Sequence, residues 1–218
     1  MKSTTRNPLL AVVLALATFA AACGGGGAAF DDIRASGAGS DRERPYDSVQ
    51  GLAELIDTGR MPNNPAVVVG EITAVEKGIG AAWLATGNGE TIVLPFGDPE
   101  SQGNTANFTV NVIETLAGQP SEKQITVGVF FGPQTTFDEI KKDFGSLDRV
   151  VFFLYEAGTF AYLPGVHVGI EEGGLFGIVD DNDRVTFPLV DGLAIASPGT
   201  KSVEASDSLT LNELRPDR

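Results

Sequence analysis

Few side chains in this chain of 218 residues are of the types that acid-base or metal chemistry needs, because it holds one histidine and one cysteine. His167 lies in the strand-like segment PGVHVGI, so a zinc site built from two or three histidines is excluded. A serine triad would have to use His167, and no G-x-S-x-G sequence accompanies it. A phosphate-binding loop with its lysine is also missing. We therefore interpret His167 as an ordinary strand residue and predict no catalytic, cofactor or metal site.

Acidic side chains offer the remaining chemistry, which is the binding of a divalent cation by oxygen ligands. Residues Asp180 to Asp183 are three aspartates and one asparagine in a row, and Ca²⁺ takes about six to eight oxygen ligands. Four consecutive side chains point in different directions, however, and the spaced pattern of a calcium loop is absent. Asp and Asn also favour turns, because they bond to their own backbone. We interpret this segment as a hairpin tip and Glu171-Glu172 as a solvated loop, and cation binding is the open alternative for both.

The single cysteine, Cys23, follows a segment that has the layout of a secretory signal. Lys2 and Arg6 make a short basic region, and residues 8–22 (PLLAVVLALATFAAA) form an apolar run that ends in small residues. The run is about 15 residues long, which is short for a membrane span of roughly 20. The alanines before Cys23 resemble the lipobox of bacterial lipoproteins, with Ala20 where leucine is usual. In that family the thiol is diacylated and the signal is cut, so the resemblance implies lipid attachment at Cys23. The alternative is a passive thiol in an ordinary signal peptide.

The acidic balance limits the possible partners. The chain has 29 acidic and 15 basic residues and a formal net charge of −14, and removal of residues 1–22 would take away basic residues only. Contacts with nucleic-acid phosphates or anionic lipid headgroups are therefore disfavoured. Two acyl chains hold a protein at a membrane without electrostatic help. We predict the membrane as a partner through the N-terminal lipid, an envelope protein or polymer as a possible second partner, and no nucleic acid.

Composition divides the chain into four parts. Residues 1–22 are predicted to be a signal peptide and residues 23–45 a lipidated flexible tether, because GGGGAAFDDIRASGAGSDRERP lacks an apolar period. A Gly-rich coil of this length has a root-mean-square reach of roughly 25 Å. Residues 46–197 are predicted to form a β-rich domain, and residues 198–218 a loose C-terminal tail.

Apolar periodicity predicts two short helices and about eight strands. Asp47 with Gln50 resembles a capping box that begins a helix near residues 48–57, and Thr136 begins a second helix. The strand segments are AVVVGEITAVE, TIVLPF, NFTVNVIETL, ITVGVFF, RVVFFLYE, TFAYLP, VHVGI, LFGIVD and RVTF. NFTVNVIETL and ITVGVFF are predicted to pair antiparallel and RVVFFLYE to be central, while Gly70 indicates a bend or a close neighbouring backbone.

Short strands, frequent turns and two small helices predict a mostly β fold, namely an antiparallel OB-like barrel or a sandwich with one or two short helices. The order of VVVGEITAVE, FTVNVIETLAGQ and ITVGV after a helix resembles uncharacterised secreted bacterial proteins with an OB-like barrel. The resemblance spans roughly residues 46–187, and it implies a fold but no activity.

The sequence thus predicts a membrane-anchored exported lipoprotein that faces away from the cytoplasm and acts as a non-enzymatic binding or envelope-associated module. A carboxylate-based hydrolase of envelope glycans is the alternative, and it would need two carboxylates about 5 to 10 Å apart in a cleft. A calcium-stabilised module is a third hypothesis. The segment Phe130-Phe131-Gly132-Pro133 is a candidate exposed contact, and burial of Phe131 in the core is the favoured interpretation.

Overall fold

The computed structural model of the protein describes residues 48–83, 91–119, 122–170, 175–187 and 209–216. Strands predominate over helices in these ranges, so the predicted mostly β fold with one or two short helices is confirmed. The predicted signal peptide and tether, with Cys23 between them, lie outside the described residues.

The described part of the chain forms nine strands, two α-helices and one 3₁₀ helix. In chain order they are α1 (Val49–Asp57), β1 (Ala66–Trp83), β2 (Thr91–Pro95), β3 (Gly103–Gly118), β4 (Gln124–Phe131), α2 (Phe137–Phe144), β5 (Val150–Tyr155), β6 (His167–Gly169), β7 (Phe176–Val179), β8 (Arg184–Thr186), β9 (Leu209–Thr210) and the 3₁₀ helix (Leu211–Leu214).

The strands form one sheet in the order β2-β1-β3-β4-β6-β5-β7-β8-β9, and part of this sheet closes on itself. Strand β1 also pairs with β5, so β1, β3, β4, β6 and β5 form a ring. The predicted antiparallel pairing of β3 with β4 is confirmed, whereas β4 and β6 run parallel. Because β6 meets each neighbour over only two residue pairs, the ring is a partial barrel.

Strand β1 is long and bent. It extends past the predicted AVVVGEITAVE segment to Trp83, pairs with β5 at Ala66–Gly70 and with β2 at Ile79–Trp83, and its register against β3 shifts at four places. Gly70 lies at one of these shifts, where an added Cβ would be 2.8 Å from the carbonyl oxygen of Asn111. The close neighbouring backbone predicted at Gly70 is therefore confirmed, and it requires glycine there.

Aromatic side chains fill the interior of the ring. Phe108 of β3 stacks on Phe144 of α2 with ring centroids 4.8 Å apart, and the rings of Phe131 and Phe176 also contact that of Phe144. Phe144 and Ile140 are fully buried, so α2 inserts one face among the interior side chains. This burial lies at the end of the ring where β4 ends and β5 begins.

A second core lies on the outer face of β5. Val151 and Phe153 are buried on this face, and Phe152 is buried on the interior face, so β5 is covered on both sides as predicted for RVVFFLYE. The apolar stripe of α1, which includes Leu52 and Ile56, joins the same core and contacts β3 and β1. The two cores together fix β5 at the centre of the domain.

The sequence predicted a loose C-terminal tail from residue 198. That prediction is wrong for the described part of the tail, residues 209–216, which is folded against the domain. Strand β9 pairs with β8, and Arg215 makes two hydrogen bonds to the carboxylate of Glu114 at 2.9 and 3.1 Å. The hydrogen bonds from Arg215 to Glu114 raise the pKa of the guanidinium. Three leucines of the segment are buried in the second core: Leu209, Leu211 and Leu214. Their mixed spacing fits neither the strand nor the helix period, which explains why periodicity did not indicate them.

The cap of α1 differs from the prediction by one residue. The side-chain Oγ of Ser48 accepts a hydrogen bond from the backbone N–H of Gly51 at 3.0 Å. Asp47, which was predicted to take that role, lies outside the described residues. Serine and aspartate are both good N-cap residues, so sequence alone did not separate them.

The segment TFAYLP, residues 159–164, forms turns and not the predicted strand. Gly158 and Gly165 flank it with φ of +78° and +72°, and the N–H of Leu163 donates to the carbonyl of Phe160. These left-handed glycines reverse the chain within a few residues. The alternation of Phe160 and Tyr162, on which the strand prediction was based, therefore occurs here in a segment of turns.

We expect Phe131→Ala to lower the free energy of unfolding by about 3 to 5 kcal/mol, because it removes a ring that is 2% exposed. Phe130→Ala is the matched control on the same strand, since Phe130 is only half-buried, against Tyr162. We expect Phe130→Ala to lower the free energy of unfolding by about half as much as Phe131→Ala, or less. Urea denaturation followed by circular dichroism measures both, and equal losses would contradict the assignment of Phe131 to the core.

We also expect a chain shortened to residue 208 to be less stable by several kcal/mol, because each of the three buried leucines contributes about 1.5 to 3 kcal/mol. A chain that ends at residue 216 keeps the whole described C-terminal segment and is the control. Calorimetric melting temperatures of the two chains compare them directly. If both melted together, the segment would not be part of the second core.

Candidate functional site

The residues that the sequence singled out do not come together in one place. Cys23 and Glu171-Glu172 lie outside the described residues. His167 is 7% exposed, with Nδ1 3.0 Å from the carbonyl oxygen of Tyr155 and Nε2 3.5 Å from Oε2 of Glu122. It therefore links β6 to β5, which agrees with its interpretation as a strand residue.

The acidic tip from Asp180 to Asp183 is a turn, as interpreted from the sequence. The Oδ1 of Asp180 accepts hydrogen bonds from the backbone N–H groups of Asn182 at 2.8 Å and Arg184 at 2.9 Å. These bonds, led by that from Arg184, lower the pKa of Asp180. Asp183 has a φ of +60°, and its carboxylate pairs with Arg149. In the ranges that the structure covers, no group of three or more His, Cys, Asp or Glu is placed to hold a metal ion.

The candidate exposed contact at Phe131 is wrong, because that ring is buried inside the barrel and contacts Phe144 edge-on at 5.7 Å. The neighbouring Phe130 lies on the outer face instead, 6.2 Å from the ring of Tyr162. Burial raises the pKa of the Tyr162 hydroxyl. Core packing, the favoured interpretation of Phe131, is thus confirmed.

An open groove lies beside α2 at the end of the ring, and sequence reasoning missed it. Its volume is about 370 Å³. We call it the Lys77 groove. Its walls come from the second half of β1, the start of β3, the turn after β2 and the segment that leads into α2. The lining residues are Lys77, Phe96, Gly97, Asn104, Pro133, Gln134, Thr135, Thr136, Phe137 and Asp138.

Two aromatic rings hold the ammonium group of Lys77 at the groove. Its Nζ lies 5.6 Å from the centroid of Phe96 and 5.5 Å from that of Phe137, and the two rings meet edge-to-face at 5.9 Å. Cation–π attraction of this kind stabilises a lysine that has no carboxylate beside it. Lys77 makes no ion pair within 4.0 Å with any other described residue. Its three N–H donors therefore have no described acceptor.

Asn104 supplies a second donor on the floor of the groove. The residue is 1% exposed, and its Oδ1 accepts a hydrogen bond from the backbone N–H of Gly97 at 2.8 Å. Its Nδ2 makes no hydrogen bond to the described chain. Asn104 pairs with Phe131 and Lys77 pairs with Ala106, so both polar side chains occupy interior-facing positions of the sheet. The Nδ2 of Asn104 is therefore a donor open to a ligand in the groove.

One wall of the groove is the N-terminus of α2, where a capping box already engages the backbone N–H groups of Thr136 and Glu139. The Oγ1 of Thr136 accepts from the N–H of Glu139 at 3.3 Å, and the Glu139 carboxylate accepts from the N–H of Thr136 at 2.9 Å. This is the capping box that the sequence predicted to begin at Thr136. The hydrogen bond from the Thr136 backbone, with that from its hydroxyl, lowers the pKa of Glu139.

The groove was not predictable from motifs, because its residues come from segments separated by as many as 61 positions, from Lys77 to Asp138. The alternation in β1 did not reveal it either, because a regular period from Val68 through Ile72 would place Lys77 on the opposite face. The shift of register between Ile72 and Ala74 turns Lys77 to the interior-facing side, where a charged residue is unusual.

Comparisons of the chain with protein-family models, curated proteins and solved structures find no match. Across the described ranges, no helix has the length and apolar character needed to cross a membrane.

The capping box predicts a pH dependence. Because the pKa of Glu139 is lowered below its ordinary value of 4.5, the folded chain binds this proton less tightly than the unfolded chain. The stabilisation is therefore complete above about pH 4.5 and is lost as the pH falls through the lower folded pKa. We expect Glu139→Gln to melt below the wild type at about pH 6 and to approach it near pH 3.

Glu54→Gln is the control for this measurement, because Glu54 is exposed on α1 and its carboxylate makes no described hydrogen bond. Melting temperatures across the same pH series compare the three chains. A constant gap between wild type and Glu139→Gln would argue against the carboxylate as the titrating group.

Proposed function

We propose that the protein is an exported lipoprotein, held at a membrane by diacylated Cys23, whose β-rich domain binds a component of the cell envelope without transforming it. The Lys77 groove is the proposed binding site. Its volume of about 370 Å³ carries the proposal, because this size and a mixed lining of aromatic and polar side chains are typical of ligand sites.

Features of the sequence support a lipid anchor at Cys23. An apolar run ends in small residues directly before the only cysteine, and a lone thiol in an exported chain has no internal partner for a disulfide. Two acyl chains, at about 0.8 kcal/mol per buried CH₂, hold a protein firmly where one chain gives marginal binding. The lipid then fixes the address and leaves the folded domain free to bind.

Hydrolysis of envelope glycans is the alternative, and the groove supports it less well. A hydrolase of this kind needs two carboxylates about 5 to 10 Å apart across the substrate. Asp138 is the one carboxylate among the residues that line the groove. The polar side chains around it are amides, hydroxyls and an ammonium, which can bind and orient a ligand.

Photo-crosslinking in native membranes tests both parts of the proposal. The full-length chain carries p-benzoylphenylalanine in place of Gln134, which lines the groove, or in place of Glu54, which is exposed on α1. We expect an adduct with an envelope component at position 134 and none at position 54. A third chain combines the Gln134 probe with Cys23→Ser. We expect it to lose palmitate labelling, leave the membrane fraction and give less adduct.

The outcomes separate the two parts. Equal adducts at positions 134 and 54, or none at 134, would overturn the groove as the binding site. Palmitate labelling that persisted in Cys23→Ser would overturn the lipid attachment at Cys23, because the chain contains no other cysteine.

A further inference from the structure

We propose that the Lys77 groove binds a saccharide unit that carries a carboxylate. This inference rests on the proposed function, in which the groove is the binding site, and it adds the chemical class of the ligand. Four features of the groove support it: two donors that lack acceptors, two aromatic rings, a paired strand backbone and a helix N-terminus that is already capped.

The two donors call for a ligand rich in acceptor oxygens. The Nδ2 of Asn104 lies on a residue that is 1% exposed, and the Nζ of Lys77 is held at the same groove over Phe96 and Phe137. Neither nitrogen has an acceptor among the described residues. A carboxylate is an acceptor for either donor, and its hydrogen bonds to a charged donor are stronger than those between neutral groups.

The absence of a carboxylate beside Lys77 is notable in so acidic a protein. The chain has 29 acidic residues, and Arg149 and Arg215 are each paired with one. Lys77 instead lies against two aromatic faces, which stabilise its charge and leave its N–H groups directed to no described partner. The groove therefore keeps a cation available for an anionic group of a ligand.

The rest of the lining suits a sugar ring better than a peptide. Amide and hydroxyl side chains of the lining, such as Gln134, bond to the hydroxyls of a sugar. A peptide that added a strand would need a free sheet edge at the groove. At the groove, β3 is paired on both sides, by β1 at Gly80 with Asn104 and by β4 at Asn104 with Phe131. The outer edge of β2, which ends next to Phe96, has no partner strand among the described residues.

A carboxylate fits this site better than a phosphate. Phosphate sites commonly use an arginine fork or the free N–H groups of a helix N-terminus. Here the N-terminus of α2 is occupied by the carboxylate of Glu139, and Asp138 adds a negative charge to the lining. The two donors that lack acceptors among the described residues are one ammonium, from Lys77, and one amide, from Asn104, and this small set suits a singly charged carboxylate.

Matched sugars test the inference on the purified full-length protein in detergent. Isothermal titration compares N-acetylmuramic acid with N-acetylglucosamine, and glucuronic acid with glucose, so each pair differs by the group that bears the carboxylate. We expect the acidic sugar of each pair to bind at least about tenfold more tightly. Inorganic phosphate is titrated as the plain anion, and we expect it to bind more weakly than either acidic sugar.

Variants with opposite expected effects guard against loss of folding, which melting temperatures check. We expect Lys77→Met to lower the affinity for the acidic sugars to that for the neutral sugars. We expect Lys77→Arg to retain the preference for the acidic sugars. We expect Asp138→Asn to increase the affinity for the acidic sugar of each pair severalfold relative to its neutral partner, because it removes a like charge from the lining.

The contrary results are distinct. Equal affinities within each sugar pair would contradict a preference for the carboxylate and leave a site for neutral saccharides. If phosphate bound as tightly as the acidic sugars, the assignment of the ligand as a saccharide would be wrong. If no sugar bound while the Gln134 probe still captured an envelope component, the ligand class would be wrong and the proposed function would stand. If both experiments failed, the groove would not be a binding site and both proposals would fall.

Discussion

The pairing of β1 with both β3 and β5 is the constraint on which the rest of the structure depends. A straight strand of 18 residues would extend a flat sheet, whereas β1 bends at four shifts of register against β3. Gly70 permits one of these shifts, because a side chain there would overlap the backbone at Asn111. The bend brings Ala66–Gly70 onto β5, so the ring can close around its aromatic interior. Closure also removes sheet edges that would otherwise be exposed.

Ring closure creates an end that must be covered, and the groove follows from how α2 covers it. The buried face of α2, Ile140 and Phe144, fills the interior, while its first residue, Phe137, remains only partly buried beside Phe96. Interior-facing positions at this end therefore reach partial solvent, and they can be polar. Lys77 occupies such a position by extending over aromatic faces and keeping its ammonium at the opening, as amphipathic side chains commonly do.

Local pattern was enough to predict much of this fold. The continuous apolar run of RVVFFLYE indicated a strand covered on both faces, and the capping residues of α2 indicated its start at Thr136. Non-local features were not predictable in the same way. The parallel contact of β4 with β6 is set by ring closure, and the docking of Leu214 depends on the second core, to which α1, β5 and β8 contribute residues. The groove also requires β1, β3 and α2 to meet, which no single segment of sequence reveals.

Electrostatics decides how a domain of this kind could bind an acidic ligand. A formal net charge of −14 repels anions at long range, so the domain would not gain the fast, steered association that complementary charge gives. At physiological salt, however, the Debye length is about 8 Å, and beyond that distance exposed charges are largely screened. Within the groove, the charged side chains are the ammonium of Lys77, which two rings hold, and the carboxylate of Asp138.

A lipid tether would compensate for the missing steering. A flexible chain that keeps the domain within roughly 25 Å of the membrane surface raises its effective concentration near envelope polymers without any added contact. The acidic surface would then act as a filter, because it disfavours nonspecific adhesion to anionic lipid and leaves the Lys77 groove as the favoured place for a carboxylate. If the proposed anchor and groove act together, the anchor would supply proximity and the groove would supply selectivity, and an overall negative charge would then be compatible with binding an acidic saccharide.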